Sequence, residues 1–190
     1  MDGDLDAADR DVVGPGDVAR TAASLARWVD RLTFADLDAD AVTDLLIETS
    51  AAWATAQGWR IYRRAPSVVS LPPPYAHRRS CVDVGCARPA GAPVVVEIDH
   101  TARRRTLDKL IAEAAAGRVA IWLRWGSGGW EPPPEPVRLV TCPVTARRDP
   151  VRHHQRYSRH PETQRPAPHH SPVEQTTRQQ SQLFSTPESG

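Results

Sequence analysis

The sequence predicts an α/β domain over residues 18–142, between two ends that read as disordered. Three observations carry this. Apolar residues recur at helical spacing in three windows. Valine-rich runs of strand length lie between the second and third windows and again after the third. Outside this region the composition turns polar and aperiodic, too poor in apolar surface to offset chain entropy. A chain of 190 residues fits one domain on length.

The first helix spans about 18–31, with Leu25, Trp28, Val29 and Leu32 on one face. The second is capped by Asp38 or Asp40 and presents Val42, Leu45, Leu46, Thr49, Ala52, Trp53 and Ala56, with Gly58 as its stop. Strand-like runs follow at Trp59–Arg64, Ser67–Leu71, Ser80–Cys86 and Val94–His100, with Pro72-Pro73-Pro74 separating the second from the third. The third helix covers about 103–116, with Leu107, Leu110, Ile111 and Ala114 on one face and Gly117 as its stop. Val119–Trp125 is the last long strand, a Gly- and Pro-rich loop runs from Gly126 to Pro136, and Val137–Cys142 suits a short edge strand. Residues 1–17 form an acidic disordered N-terminus, and residues 143–190 a disordered Arg/His/Gln/Pro-rich tail that contains His153-His154 and His169-His170.

Composition excludes several classes. Three cysteines cannot all pair within one chain, which argues against a disulfide scaffold. No apolar run approaches the ~18–20 residues that span a bilayer. Met1 to Asp11 has neither a basic n-region nor an apolar h-region, so it does not read as a signal peptide. The expectation is a soluble, cytoplasmic protein without a membrane partner. The net charge of +1 conceals segregation: residues 1–58 are acidic and residues 59–142 arginine-rich. A basic middle can face a polyanion, and solvated arginines are the competing reading. Lys109 is the single lysine in a chain that otherwise uses arginine. A lysine offers a compact ammonium that arginine does not.

The chemistry concentrates in two strands. The Ala87–Pro93 connection is turn-rich, and a hairpin folded about Ala90 sets Asp83 opposite Glu97, Cys81 opposite Asp99 and Gly85 opposite Val95. Side chains alternate with period two, so Asp83, Glu97 and Asp99 project from one face and Val82, Val84, Val94, Val96 and Ile98 from the other. Facing like charges destabilise paired strands. Crowded carboxylates also raise one another's pKa values. A hard divalent cation between them resolves the conflict.

This arrangement resembles the PD-(D/E)XK nuclease superfamily, whose core carries an Asp on one strand, Glu-X-Lys on the next, then a helix and a further strand. The matching residues are Val82-Asp83-Val84, Val94-Val95-Val96-Glu97-Ile98-Asp99-His100, the helix around Arg103–Ala116, and Val119–Trp125, within about residues 40–125. The resemblance implies a restriction-endonuclease-like core, a mixed sheet flanked by helices, and hydrolysis of phosphodiester bonds with Mg²⁺ or Mn²⁺. It implies Asp83 and Glu97 as metal ligands and Glu48 as the additional helix acid of some branches. The motif departs at the lysine position, which holds Asp99. Some branches tolerate an acid there, and others move the lysine to the following helix, where Lys109 lies. The helical wheel sets Lys109 opposite the Leu107–Leu110–Ile111 face, toward solvent unless the helix tilts, and puts Arg103 nearer the packed face. The implied partner is nucleic acid, DNA before RNA, with a homodimer allowed. Two alternatives stand beside this: a catalytically inactive member that binds nucleic acid or protein, and an unrelated interaction protein with surface carboxylates.

Other candidates have plain competitors. Arg103, Arg104 and Arg105 suit phosphate contacts at a helix N-terminus, or solvation. Trp122 and Trp125 straddle Arg124 and suit base stacking or core packing. His100 suits a phosphate contact, a proton shuttle or a strand-end polar role. His77, Cys81, Cys86 and Cys142 are irregularly spaced for zinc, and buried free cysteines are the default.

Overall fold

In the computed structural model, which describes residues 14–149 and 154–160, the first helix starts where Gly14-Pro15-Gly16 breaks the chain. α1 (Pro15–Val29) has proline in its first turn, where no backbone donor is needed. β1 (Phe34–Leu37) follows, then α2 (Ala39–Ala56). Of the two cap candidates, Asp38 serves α2: its carboxylate accepts from the Ala41 N–H at 2.9 Å. Gly58, at φ 75°, reverses the chain after α2, a conformation that costs glycine little. β2 (Arg60–Ser70), β3 (Arg79–Ala87) and β4 (Val94–Asp99) come next, then α3 (Arg104–Ala115), β5 (Val119–Gly126), β6 (Arg138–Pro143), β7 (Thr145–Arg148) and β8 (Gln155–Arg159).

The larger sheet has the order β2-β3-β4-β5-β6. β2 pairs antiparallel with β3 and β3 with β4, whereas β5 is parallel to β4 and β6 parallel to β5, so the sheet is mixed. The first parallel connection needs a crossover, which α3 supplies. Neighbouring residues of β4 point to opposite faces. Val94 and Val96 join Leu25, Val29, Val42, Leu46, Trp53, Ile121, Leu123 and Trp125 under α1 and α2. Val95 joins Val82, Leu110, Ala120, Trp122 and Val137 under α3. At Gly85 a Cβ would come within 2.6 Å of the Ala65 Cβ, so β2 and β3 meet there only because glycine has none.

Three expectations are corrected. The runs Trp59–Arg64 and Ser67–Leu71 are one strand, β2, which passes through Arg64 at φ 50° instead of ending there. Val82 packs with Val95 and Leu110 under α3 and not beside Val84, so side chains do not alternate strictly along β3. The largest correction is the tail. The sequence from Pro143 reads as disordered, yet β7 and β8 pair with each other, and β8 pairs with β1, in a second, three-stranded antiparallel sheet. Its anchor is Tyr157, buried edge-on against Trp125 at 5.0 Å and His100 at 5.3 Å. The rest of both ends, including the acidic stretch 1–13, His153 and His169-His170, lies outside the described residues.

The charge segregation along the chain closes on itself in part. Acids of the first 58 residues meet later arginines: Asp17 pairs with Arg88, Asp30 with Arg159, Asp36 with Arg147, Asp38 with Arg156 and Glu48 with Arg63. Among the described residues no helix is long and apolar enough to cross a membrane.

Candidate functional site

The hairpin register is the expected one: Val84 faces Val96, Gly85 faces Val95 and Cys86 faces Val94. Just beyond these pairs, Asp83 comes close enough to Glu97 for their charges to act on each other. The Asp83 carboxylate reaches the neighbouring strand and accepts from the Ile98 N–H at 2.8 Å. Glu97 is 6% exposed, and the Lys109 ammonium lies 2.5 Å from its Oε1. The same ammonium donates to the Cys81 carbonyl at 2.6 Å. Lys109 therefore ties α3 to both strands of the hairpin, next to the two acids.

This overturns the helical-wheel expectation that Lys109 points to solvent. The face α3 buries is Thr106, Leu110 and Glu113, with Lys109 on it, whereas Ile111 is 38% exposed and Arg103 is exposed. The cause is Glu113, fully buried, whose carboxylate accepts from Ser67 Oγ at 2.5 Å, Val68 N–H at 2.8 Å and Arg118 Nη1 at 2.7 Å. Holding Glu113 down rolls the helix, and Lys109, four residues earlier, lies on the same face. Glu113 and Ser67 were missed in the sequence. The available signal was the spacing Thr106, Lys109, Leu110, Glu113, a helical face that looks polar until its members are paired.

Burial pushes the Glu97 carboxyl up to about 7; Lys109 opposes the rise, and Asp83 and Asp99 add to it. Burial also raises Asp83, against the Ile98 N–H and Lys109, with Asp99 raising it further. A carboxyl near 7 exchanges its proton at neutral pH, the condition general acid–base work needs. An ammonium has three donors: the Cys81 carbonyl takes one, while Glu97 is met as an ion pair whose Oε1 has no well-aligned hydrogen bond. The donor set of Asp83 and Glu97 suits Mg²⁺, which takes one or two carboxylates and completes its shell with water and phosphate. Among the described residues no group of three or more His, Cys, Asp or Glu side chains is placed to hold a metal.

Asp99 belongs to the same electrostatic neighbourhood, and its Oδ2 accepts from Trp122 Nε1 at 3.0 Å. Glu48 is not brought to this cluster. It projects from α2, on the other layer, and both its oxygens are held by Arg63. Arg103 flanks the first turn of α3, and Arg104 and Arg105 lie in it; all three are exposed. Trp125 is core, stacked on His100 at 4.1 Å, and Trp122 packs under α3 with the Arg124 guanidinium over its ring at 4.8 Å. His100 is thus an exposed residue just past β4 whose ring stacks on Trp125, its pKa lowered by partial burial and by Arg124. All three cysteines are free. Cys86 and Cys142 are buried, which pushes each thiol up to about 11, while Cys81 is exposed. No protein-family model, curated protein or solved structure matches the chain.

Proposed function

We propose that the chain is a metal-dependent nuclease that hydrolyses phosphodiester bonds, with Asp83, Glu97 and Lys109 as its centre. The observation that carries this reading is the Lys109–Glu97 contact beside Asp83. It supports a displaced lysine, on the helix after the Glu-X-Asp motif, doing what the strand lysine does in PD-(D/E)XK enzymes. The order α2-β2-β3-β4-α3-β5 is similar to the core of that superfamily. Asp83 and Glu97 would hold Mg²⁺ or Mn²⁺, which supplies an acidified water and a polarised phosphoryl oxygen. Lys109 orients Glu97 and offers a further N–H to a phosphate oxygen, where negative charge develops. DNA is the favoured substrate, in the cytoplasm, and a homodimer accords with this.

A second reading, a nuclease-fold module that binds without cutting, has its own observation in favour. Each of the three acids has a protein partner: Asp83 has Ile98, Glu97 has Lys109, and Asp99 has Trp122. A cleavage assay separates the two. Purified protein is incubated with circular DNA, linear DNA and RNA in Mg²⁺, Mn²⁺ or EDTA, beside Asp83→Asn, Glu97→Gln and Lys109→Met. The nuclease reading expects cutting that needs metal and falls by about a hundredfold or more in each variant. Absence of cutting by a folded wild type, or cutting unaffected in all three variants, overturns it.

A further inference from the structure

Beside the acids, between the start of α3 and the Pro-rich loop before β6, lies a cleft of about 650 Å³. That volume is in the range of small-ligand sites. Its floor is Trp122 and Arg124 of β5, which neighbour Glu97 and Asp99 across the parallel β4–β5 pairing. One wall is Leu107 and Ile111 of α3, the other Pro132, Pro133 and Pro134. Arg103 and Arg104 stand at the mouth, with Asp108, paired to Arg104, and the exposed Glu131.

Arg124 is the unusual member. It is 8% exposed, its Nε is buried with no hydrogen-bond partner, and no ion pair among the described residues engages it. Its guanidinium is supported by the Trp122 ring. Asp99, the partner of Arg124 in the β4–β5 register, attracts the guanidinium but gives its Nε no hydrogen bond, and a buried donor left unpaired is costly unless a further acceptor such as an anion completes it. The first turn of α3 adds its positive end, since the residue before it, Arg103, makes no side-chain cap. The walls, in contrast, are apolar, and Ile111 is one of few large aliphatic side chains left open. The cleft therefore asks for an anion attached to a flat apolar group.

We propose that this cleft binds one nucleotide of a single-stranded nucleic acid, its phosphate on Arg124 and Arg103 and its base against Leu107, Ile111 and the proline wall. The inference rests on the nuclease-fold reading for the class of polymer. In a duplex the base is stacked and paired, so entry into the cleft requires an unpaired strand. A phosphate seated on Arg124 places the next segment of chain beside Asp99 and Glu97.

The test is fluorescence anisotropy of a labelled six-nucleotide DNA or RNA strand with the full-length chain in EDTA, so that binding is read without cleavage. The same sequence as a duplex, and inorganic phosphate as competitor, complete the set. Single strands should bind about fivefold or more tighter than duplex, and phosphate should compete weakly. Arg124→Gln should weaken binding about tenfold, Ile111→Ser about threefold, and Arg27→Gln, exposed on α1, by less than about twofold. Because Arg124→Gln can unfold the chain, Arg103→Gln and Ile111→Ser, both at exposed positions, decide the matter with melting curves beside them. Wild-type affinity in both surface variants, equal affinity for duplex, or no oligonucleotide binding overturns the proposal. Cleavage that persists unchanged in the cleft variants sinks the cleft and leaves the nuclease. Cleft-dependent binding without cleavage sinks the nuclease and leaves the cleft.

Discussion

The two faces of the large sheet are held by different physics. Under α1 and α2, aliphatic and aromatic side chains meet: Leu25, Leu46 and Trp53 against Val84, Val96 and Leu123. Under α3, a smaller apolar cluster shares its space with Glu97, Lys109, Glu113 and Arg124. The first face is stabilised by area removed from water, which is indifferent to pH and exact partner. The second depends on each buried polar group having a correct mate. The proposed centre lies on the second face.

The largest expected effect tests the apolar face. Trp53 is fully buried, 5.0 Å edge-on from Trp59, and donates to Ser24 Oγ at 3.1 Å. Trp53→Ala should cost about 3–5 kcal/mol in urea unfolding, equally at pH 5 and pH 8. A loss that varied with pH would break the comparison.

Next comes the pH response of the polar face. The Glu97 carboxyl titrates at about 7 in the folded chain against 4.5 ordinarily. The native state therefore takes up this proton more readily than the unfolded state, so the group's stabilising contribution is complete below pH 4.5 and is lost as pH rises through 7. At about 1.4 kcal/mol per pH unit the loss is about 3 kcal/mol. Asp83, also raised, acts in the same direction. Glu97→Gln should flatten the decline in a series of urea titrations from pH 4.5 to 8. A decline of undiminished slope in Glu97→Gln assigns it to other groups.

The smallest effect sharpens the contrast with two buried serines. Ser67 Oγ donates to Glu113 and accepts from the Val69 N–H, so Ser67→Ala removes one of Glu113's three donors and the Val69 partner, and should cost about 1–2 kcal/mol. Ser50 Oγ donates only to the Leu46 carbonyl one helical turn back, which the helix already serves, and Ser50→Ala should cost less than about 0.5 kcal/mol. Equal costs in thermal melts would mean that the faces do not differ as argued.

The same contrast governs what was legible in the sequence. The apolar signals held: three helices, the β3–β4 hairpin with its register, and β5 all stand close to where periodicity put them, because burial patterns are written in residue type. Glu48 and the α3 face were misread for one reason, that polar partners are chosen in three dimensions. Nothing local tells that Glu48 meets Arg63, or that Glu113 meets Ser67, 46 residues away. β7 and β8 escaped because they are short and polar and draw their stability from Tyr157 and from acids near the other end of the domain, and β1, Phe-Ala-Asp-Leu, because four residues are too few to show a period. The proposed centre drew notice in the sequence through Asp83 and Glu97, whose place on a valine-rich hairpin is a local anomaly. Lys109 was legible by rarity but not by orientation.

The pairing of β1 with β8 has a consequence for how the chain is made. The Asp36 N–H donates to Ser158 Oγ across 122 positions. Of the described strands, β1 leaves the ribosome first and waits longest for its partner. Until β8 emerges, β1 offers unpaired backbone to any passing strand. Its short length and its acids, Asp36 and Asp38 flanking Leu37, keep that exposed edge from recruiting the wrong one, and the same acids then receive Arg147 and Arg156 when the end of the domain arrives.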